Sequence, residues 1–320
     1  MTDLRPIDSK VIPRFAQHAS LFRAPIVADT AGLDIAVFGV PYDLGSSNRN
    51  GARLGPGQIR EMSRLIRPIN GGTGVNPFKL CNIADIGDAP VNPFDIMESL
   101  DSIAAFATNL RKQGIASVAC GGDHTVALPL LRGAVTPGQP VSLIHFDAHS
   151  DTGDSSFGMR YNNGTGFRRA VEEGLIDPKR TIQIGIRANL FREGDLDFTY
   201  NSGMRVITMD EFDRLGREGV IAEIKKTIGE VPTYVTFDID GLDPVHCPGT
   251  GAPEPGGLSM RDVQVILRSL RGFDVIGGDV CEVSPPLDPS GSTAVNAANI
   301  MFEILCLVAE ALHHKKANAA

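Results

Sequence analysis

Short apolar runs alternate along the chain with segments whose apolar residues recur at helical spacing. The apolar runs predict about eight strands, at 34–40, 79–86, 115–120, 141–146, 181–187, 204–209, 233–239 and 275–283. Helices are predicted between them, at 57–66, 94–114, 123–132, 165–173, 210–227, 259–270 and 294–312. Strands that alternate with helices are typical of an α/β fold, here with a mostly parallel sheet and helices on both of its faces.

The sequence contains no internal repeat, no recognisable linker and no break in composition. Residues 1–33 are irregular, with Pro6, Pro13 and Pro25, and are predicted to form an N-terminal extension. Residues 34–320 are predicted to form a single domain, because α/β folds often run to this length as one unit.

Composition and charge narrow the class of protein. The 320 residues carry 38 acidic and 30 basic side chains, and the net charge of -8 argues against nucleic acid as a partner. The five cysteines form no CxxC motif and are expected to be reduced, mostly buried thiols. No apolar run is expected to reach the length of a membrane span, and the N-terminus has no signal-peptide pattern. We therefore expect a cytoplasmic protein without a membrane partner.

Candidate chemistry is concentrated in the stretch Ser142-Leu-Ile-His-Phe-Asp-Ala-His-Ser-Asp151, which begins as a buried strand. Asp147, His149 and Asp151 follow at two-residue spacing, and alternate residues of an extended chain point the same way. The carboxyl end of a parallel strand is where α/β proteins place their ligands. Two carboxylates and an imidazole suit a divalent cation such as manganese, nickel or zinc. The alternative for this triplet alone is a capped turn.

Two other stretches extend this candidate site. The run Gly121-Gly-Asp-His-Thr125 follows one apolar run and places His124 in the first turn of a helix. The run Phe237-Asp-Ile-Asp-Gly-Leu-Asp-Pro244 follows another and supplies Asp238 and Asp240. The combined carboxylates and imidazoles exceed what one cation needs and suit two cations that share bridging carboxylates. The alternative is that each cluster caps a strand or helix independently.

The motifs GGDHT, FDAHSD, FDIDGLDP with PGTG downstream, and GDVCEVSPP resemble those of the ureohydrolases, the family of arginase, agmatinase and guanidinobutyrase. The resemblance runs from Asp34 to the C-terminus. In the long loop and the FRRAVEEGLID segment it is greatest to the agmatinase, guanidinobutyrase and guanidinopropionase branch. It implies an arginase-like three-layer α/β/α sandwich and hydrolysis of a guanidino C–N bond with two divalent ions per chain, Mn²⁺ or Ni²⁺.

The resemblance also assigns roles to individual residues. It implies that one cation is held by His124, Asp147, Asp151 and Asp238, and the other by Asp147, His149, Asp238 and Asp240, with Asp147 and Asp238 bridging. Glu282 corresponds to the family glutamate that receives the guanidinium. Its place at the end of a strand agrees with this role, because a carboxylate can pair with a planar cation through two hydrogen bonds. Asp151 is implied to orient the water nucleophile and to pass a proton to the leaving amine.

The sequence departs from the family pattern at two places. The family has a proton-shuttling histidine in a His-Gly-Thr run, and here that run is Asn163-Gly-Thr165. An asparagine side chain does not carry a proton near neutral pH. The second departure is Val245-His246-Cys247, where the family more often has small and aromatic residues. His246 is expected to lie at the rim of the pocket; the alternative is that it replaces the lost shuttle.

The sequence therefore predicts a metal-dependent hydrolase of a guanidino acid, a substituted guanidine or a biguanide, assembled as a homo- or hetero-oligomer, a trimer or hexamer. Two other functions are kept open. One is the deacetylase branch of the same fold, which cleaves amides at one zinc, although the paired Asp238 and Asp240 and the intact Glu282 argue against it. The other is a metal-binding subunit of a hetero-oligomeric ureohydrolase whose activity needs a paralogous partner.

Overall fold

Eight parallel strands form one sheet in the computed structural model, which describes residues 4–319. Residues 1–3 of the predicted extension and residue 320 of the predicted domain lie outside the described residues. The strands are β1 (Ile35–Gly39), β2 (Ile83–Asp88), β3 (Ala116–Cys120), β4 (Val141–Phe146), β5 (Ile176–Ile186), β6 (Arg205–Thr208), β7 (Thr233–Asp238) and β8 (Val275–Cys281). Their order across the sheet is β2-β1-β3-β8-β7-β4-β5-β6. Each neighbouring pair is parallel, which confirms the predicted sheet.

Helices cover both faces of this sheet. They are α1 (Gly55–Ser63), α2 (Pro77–Leu80), α3 (Ile96–Lys112), α4 (Ala127–Ala134), α5 (Gly166–Glu172), α6 (Asp197–Ser202), α7 (Met209–Ile228), α8 (Met260–Arg268) and α9 (Ser292–Ala319). The core on one face includes α1, α7, α8 and α9, and the core on the other face includes α3, α4 and α5. The predicted three-layer α/β/α architecture is therefore confirmed.

Each central strand divides its side chains between the two cores. In β1, Ile35 and Val37 belong to the core on the α1 side, whereas Ala36 and Phe38 belong to the core on the α3 side. All four side chains are fully buried. Helices on both faces bury both sets of side chains, and for this reason the strand sequences are continuous apolar runs without alternation.

Two strands begin elsewhere than predicted. The strand predicted from residue 79 begins at Ile83, because Pro77–Leu80 forms a short helix with proline in its first turn. Proline suits that position, where its missing N–H would have no helical partner. The strand predicted from residue 181 begins at Ile176, and an irregularity in its pairing with β4 absorbs the extra residues.

Other features of the fold concern the ends and interruptions of elements. The last strand ends at Cys281 and not at residue 283, because Glu282 adopts a φ of 64° and leaves the extended conformation. Helix α7 is interrupted at Gly216, which has a φ of 63°. The short helix α6 was not predicted from the sequence.

By length and composition alone, α9 is apolar enough to cross a membrane, with a mean hydropathy of 1.6. The expectation that no apolar run reaches this length is therefore wrong. The helix packs along β8, α1 and α8, and 78% of its most apolar window is buried within the described residues. Its apolar composition is thus explained by the core on the α1 side.

The segment before β1 is irregular, as predicted, and one arginine organises it. The buried Arg23 guanidinium donates hydrogen bonds to the carbonyl oxygens of Ile7, Ile12 and Pro13, at 3.1, 3.0 and 3.2 Å. The segment is joined to the sheet at β2, where the Leu21 N–H donates to the Asp85 carboxylate at 2.9 Å.

Substitutions at two helical glycines test the packing between the helices. A Cβ on Gly133 of α4 would lie 2.2 Å from the Cβ of Ala107 in α3, so Gly133→Ala must push the two helices apart. We expect it to lower the free energy of unfolding by about 1–3 kcal/mol. Gly57→Ala, at an exposed position of α1 with no atom within 4 Å of the added methyl, should raise it by about 0.5–1 kcal/mol. Chemical denaturation measures both. Equal stability of the two variants would contradict the close α3–α4 contact.

Candidate metal centre

The predicted metal-binding turns and Glu282 lie at the carboxyl ends of four adjacent strands. Their order in the sheet is β3-β8-β7-β4, so the turns that follow them meet at one edge. Six of these side chains are 9% exposed or less: His124, Asp147, Asp151, Asp238, Asp240 and Glu282. His149 is half-buried, with 29% of its side chain exposed. The site is thus a deep group of titratable side chains that is reached from one edge of the sheet.

One part of the site is centred on the His124 imidazole. Its Nδ1 lies 2.9 Å from Asp151 Oδ2, 3.1 Å from Asp147 Oδ2 and 3.3 Å from Asp238 Oδ2. Donor atoms from three separate turns therefore converge on one point.

The other part is centred on His149. Its Nδ1 lies 3.1 Å from Asp240 Oδ2 and 3.3 Å from Asp147 Oδ1. Asp147 presents one oxygen to each imidazole, which is the geometry of a bridging ligand. Asp238 faces His124 with Oδ2, whereas its Oδ1 accepts a hydrogen bond from the Asp240 backbone N–H at 2.9 Å. All six predicted ligands come together, and of the two predicted bridges Asp147 has the clearer bridging geometry.

Turn capping is present but uses only some of the carboxylate oxygens. Asp147 Oδ1 accepts from the His149 N–H at 2.6 Å, and Asp240 Oδ1 accepts from the Ala148 N–H at 3.1 Å. The Oδ2 atoms of Asp147, Asp238 and Asp240 instead face imidazole nitrogens. Independent capping therefore does not explain why the three turns share one centre.

The burial of several carboxylates together shifts their protonation. Burial and the neighbouring carboxylates raise the pKa of Asp238 well above its usual range and that of Asp151 to about 6. Burial also disfavours ionised Asp147, but the adjacent imidazoles hold the pKa of Asp147 well below its usual range. Burial lowers the pKa of His124, and hydrogen bonds to the three carboxylates outweigh this and raise it. The cluster therefore favours added positive charge, whether protons or cations.

The donor set fits divalent cations. Donor atoms of His124, His145, Asp147 and Asp151 lie within 4.8 Å of one another, and so do those of Asp147, His149 and Asp240. Carboxylate oxygens mixed with imidazole nitrogens suit manganese, nickel and zinc. Two groups of donors that share Asp147 match a pair of ions better than a single ion.

Glu282 is held in a strained conformation beside the His124 turn. A φ of 64° is uncommon for a residue other than glycine. Its N–H donates to the Gly122 carbonyl at 2.8 Å. Its Oε1 accepts from the His124 N–H at 2.9 Å and from the Asn163 side-chain amide at 3.2 Å. Burial, with a further contribution from Asp123, raises the pKa of Glu282 to about 8. The structure thus brings Asn163 and Glu282 into direct contact, and these bonds leave Oε2 unused.

Sequence reasoning missed His145. Its Nε2 lies 2.7 Å from Asp147 Oδ2, and the Gln183 amide nitrogen lies 2.9 Å from its Nδ1. A signal was present, because His145 precedes Asp147 by two residues and therefore faces the same way along the strand. The apolar residues around it favoured an interpretation as part of a buried strand.

His246 lies in the turn that follows β7. Its N–H donates to the Asp243 carbonyl at 2.8 Å, and its carbonyl accepts from the Asn296 amide at 2.8 Å. Among residues 4–319 its imidazole forms no hydrogen bond or ion pair. A place at the pocket rim and replacement of the lost shuttle both stay predictions.

Comparisons with known proteins agree with the geometry. The profile of the Arginase family matches residues 33–307. Over 307 residues, the chain is 47% identical to the guanidinopropionase of Pseudomonas aeruginosa and 42% identical to the guanidinobutyrase of the same organism. These alignments cover 96% and 95% of this chain and 96% of each relative. The solved structure of proclavaminate amidino hydrolase from Streptomyces clavuligerus superposes with a TM-score of 0.90 at 41% identity, covering 93% of this chain and 99% of that one.

The metal centre can be tested through stability. Chelator-stripped protein should unfold at a lower temperature than protein with Mn²⁺, because cations that bind only the folded state stabilise it. We expect about two ions per chain by elemental analysis. Asp147→Ala should lose more metal and more of the thermal gain than His124→Ala, since a bridging ligand serves both ions. Asp101→Asn, which changes an exposed carboxylate on α3, is the matched control. Full thermal stabilisation with one ion per chain would contradict the two-ion centre.

Proposed function

Because the chain belongs to the arginase family, we propose that it hydrolyses the C–N bond of a guanidino compound to a urea-type product and an amine. The family match over residues 33–307 confirms the resemblance to the ureohydrolases. The family depends on a binuclear metal centre, and the His/Asp cluster at the sheet edge is the group of side chains that would hold the two ions.

The observation that supports this proposal most is the position of Glu282. Its carboxylate is buried next to the ligand cluster, and only Oε1 is used by hydrogen bonds from His124 and Asn163. A guanidinium group is a planar cation whose N–H donors match a carboxylate. A guanidinium bound to Oε2 would lie at the same edge of the sheet as the ligand cluster.

The residues of the chain have separate roles in this proposal. When bound, two divalent cations supply Lewis-acid activation of a water nucleophile. Glu282 binds and orients the guanidinium. Asp151 is the most exposed carboxylate among the proposed ligands, at 9%. In line with the family resemblance, Asp151 would accept a proton from the water nucleophile and pass it to the leaving amine.

Two features of the pocket bear on the substrate. The Arg49 carbonyl oxygen and Glu282 Oε2 lie 3.5 and 3.8 Å from the point that a Cβ on Gly251 would occupy, so the Arg49 backbone lies near Glu282. The Arg49 side chain is exposed and has no ion pair among the described residues. It would suit the carboxylate of a guanidino acid, in agreement with the names guanidinopropionase and guanidinobutyrase of two relatives. Asn163, being neutral, would accommodate a substituted guanidine or a biguanide without repelling a second cationic centre.

Several broader features are part of the proposal. We propose that residues 34–320 act as one catalytic domain with residues 1–33 as an extension, in a cytoplasmic trimer or hexamer with Mn²⁺ or Ni²⁺. The second candidate function, a metal-binding subunit that needs a paralogous partner, is favoured by the replacement at Asn163. Urea release by the purified chain alone distinguishes the two functions. A single-zinc deacetylase is disfavoured by the two donor groups and by Glu282.

The function is tested with Glu282→Gln. Metal-reconstituted wild-type protein should release urea from a guanidino substrate, and the variant should retain its metals. We expect kcat/KM to fall by roughly 100-fold, because loss of an ionic partner in a buried pocket costs about 3 kcal/mol. Asp101→Asn, which changes an exposed carboxylate on α3 away from the site, is again the control. Loss of metal from Glu282→Gln would mean that the assigned role is wrong.

The role of Asn163 is tested by restoring the histidine. We expect Asn163→His to lose kcat/KM on the best natural substrate and to gain it on agmatine or guanidinobutyrate. The reason is that an imidazole restores proton transfer but adds positive charge beside Glu282. Asn163→Ala, which removes the amide without adding an imidazole, is the control. Equal improvement on both substrates would show that position 163 affects proton transfer only and does not select the substrate.

A further inference from the structure

Beneath the ligand cluster, four polar side chains form a continuous row across the sheet. Gln183, His145, Thr236 and Asp279 lie on β5, β4, β7 and β8, and each is the register partner of the next. All four are fully buried. We call these four residues the supporting row. Polar side chains in the centre of a sheet are costly unless they are hydrogen-bonded, and here their hydrogen bonds lead to the proposed ligands.

At one end of the row, hydrogen bonds connect His124 to Asp279. His124 Nε2 lies 2.9 Å from Thr236 Oγ1, and Thr236 Oγ1 lies 2.8 Å from Asp279 Oδ1. The Thr236 hydroxyl donates to Asp279 Oδ1, so its single proton is used in that hydrogen bond. Thr236 must then accept from the Nε2–H of His124. A neutral imidazole, the form that binds a cation, carries one proton. With that proton on Nε2, Nδ1 of His124 is free to bind a cation on the side that faces the carboxylate cluster.

At the other end of the row, hydrogen bonds also determine which nitrogen of His145 carries the proton. The Gln183 amide nitrogen donates to the Ser150 carbonyl at 2.7 Å and to His145 Nδ1 at 2.9 Å. The proton of His145 is therefore on Nε2, which donates to Asp147 Oδ2 at 2.7 Å. Each end of the row thus orients one proposed ligand.

We propose that the supporting row positions the metal ligands, and that Thr236 and Asp279 hold His124 in the tautomer whose Nδ1 binds a cation. This inference rests on the proposed function. Thr236 and Asp279 act through His124 and are positioning residues. Donor atoms of His124, Asp279 and Cys281 also lie within 4.8 Å of one another. The Thr236 hydroxyl is hydrogen-bonded to both His124 and Asp279. We therefore interpret the closeness of His124 and Asp279 as part of this hydrogen-bonded chain and not as a further metal site.

The test is Thr236→Val, which keeps the shape of the side chain and leaves His124 Nε2–H without an acceptor. Mn²⁺ binding to chelator-stripped protein is measured by electron paramagnetic resonance of the free ion. We expect the dissociation constant to rise about 10–100-fold, the usual effect of removing a partner of a ligating histidine. Thr236→Ser, which restores the hydroxyl, should return it to the wild-type value. Thr233→Val removes a buried hydroxyl on the same strand that donates to the Val231 carbonyl, and should leave the affinity unchanged.

Each outcome is decisive. Wild-type Mn²⁺ affinity in folded Thr236→Val would overturn the inference and leave the proposed function intact, whereas wild-type protein that binds neither Mn²⁺ nor Ni²⁺ would overturn both. If Thr236→Val does not fold, Gln183→Met tests the row from its other end, because it keeps the side-chain length and removes the donor to His145. Weaker Mn²⁺ binding by Gln183→Met then supports the inference, and unchanged binding overturns it.

Discussion

The constraint on which the structure depends is the burial of several carboxylates at one edge of a parallel sheet. Ionised groups in such surroundings are tolerated only when they are paired, hydrogen-bonded or bound to cations. The order β3-β8-β7-β4 brings the carboxylates together from turns that are distant along the chain. The imidazoles of His124 and His149 each stand between carboxylates, and Asp147 links them. The shifted pKa values have the same origin, since burial and mutual repulsion both favour added positive charge.

The positions of these side chains depend on the backbone conformation of the turns that carry them. Asp151 and Glu282 both have positive φ, 51° and 64°, and such strain persists only where the surroundings over-determine it. The Asp151 carbonyl accepts from the Phe167 N–H at 3.1 Å. Glycine at position 122 is needed because a Cβ there would lie 1.5 Å from the Tyr42 carbonyl oxygen. The Arg187 guanidinium donates to the carbonyl oxygens of Gly185, Asp240, Gly241, Leu242, Glu254 and Pro255, and so ties the end of β5 to the Asp240 turn.

The structure brings the six predicted metal ligands together with Glu282, and it places Asn163 against Glu282. In the proposed function, these ligands and Glu282 would account for hydrolysis of a guanidino compound. The relatives have different substrate names, and Asn163 and Arg49 are the residues near Glu282 that we propose to bear on the substrate. In this proposal the fold and metal ligands would supply the chemistry, while a few loop residues around Glu282 would select the guanidino compound.

The sequence by itself determined the elements and the chemical type of the site. Continuous apolar runs predicted the buried strands, and the two-residue spacing of Asp147, His149 and Asp151 predicted a shared direction. The sequence could not determine how distant segments pair, because strand order and register are long-range properties. Only the tertiary structure placed β8 between β3 and β7, brought Asn163 to Glu282, and aligned Thr236 with Asp279 beneath His124. These contacts join residues far apart along the chain, so no local pattern of apolar and polar positions could have revealed them.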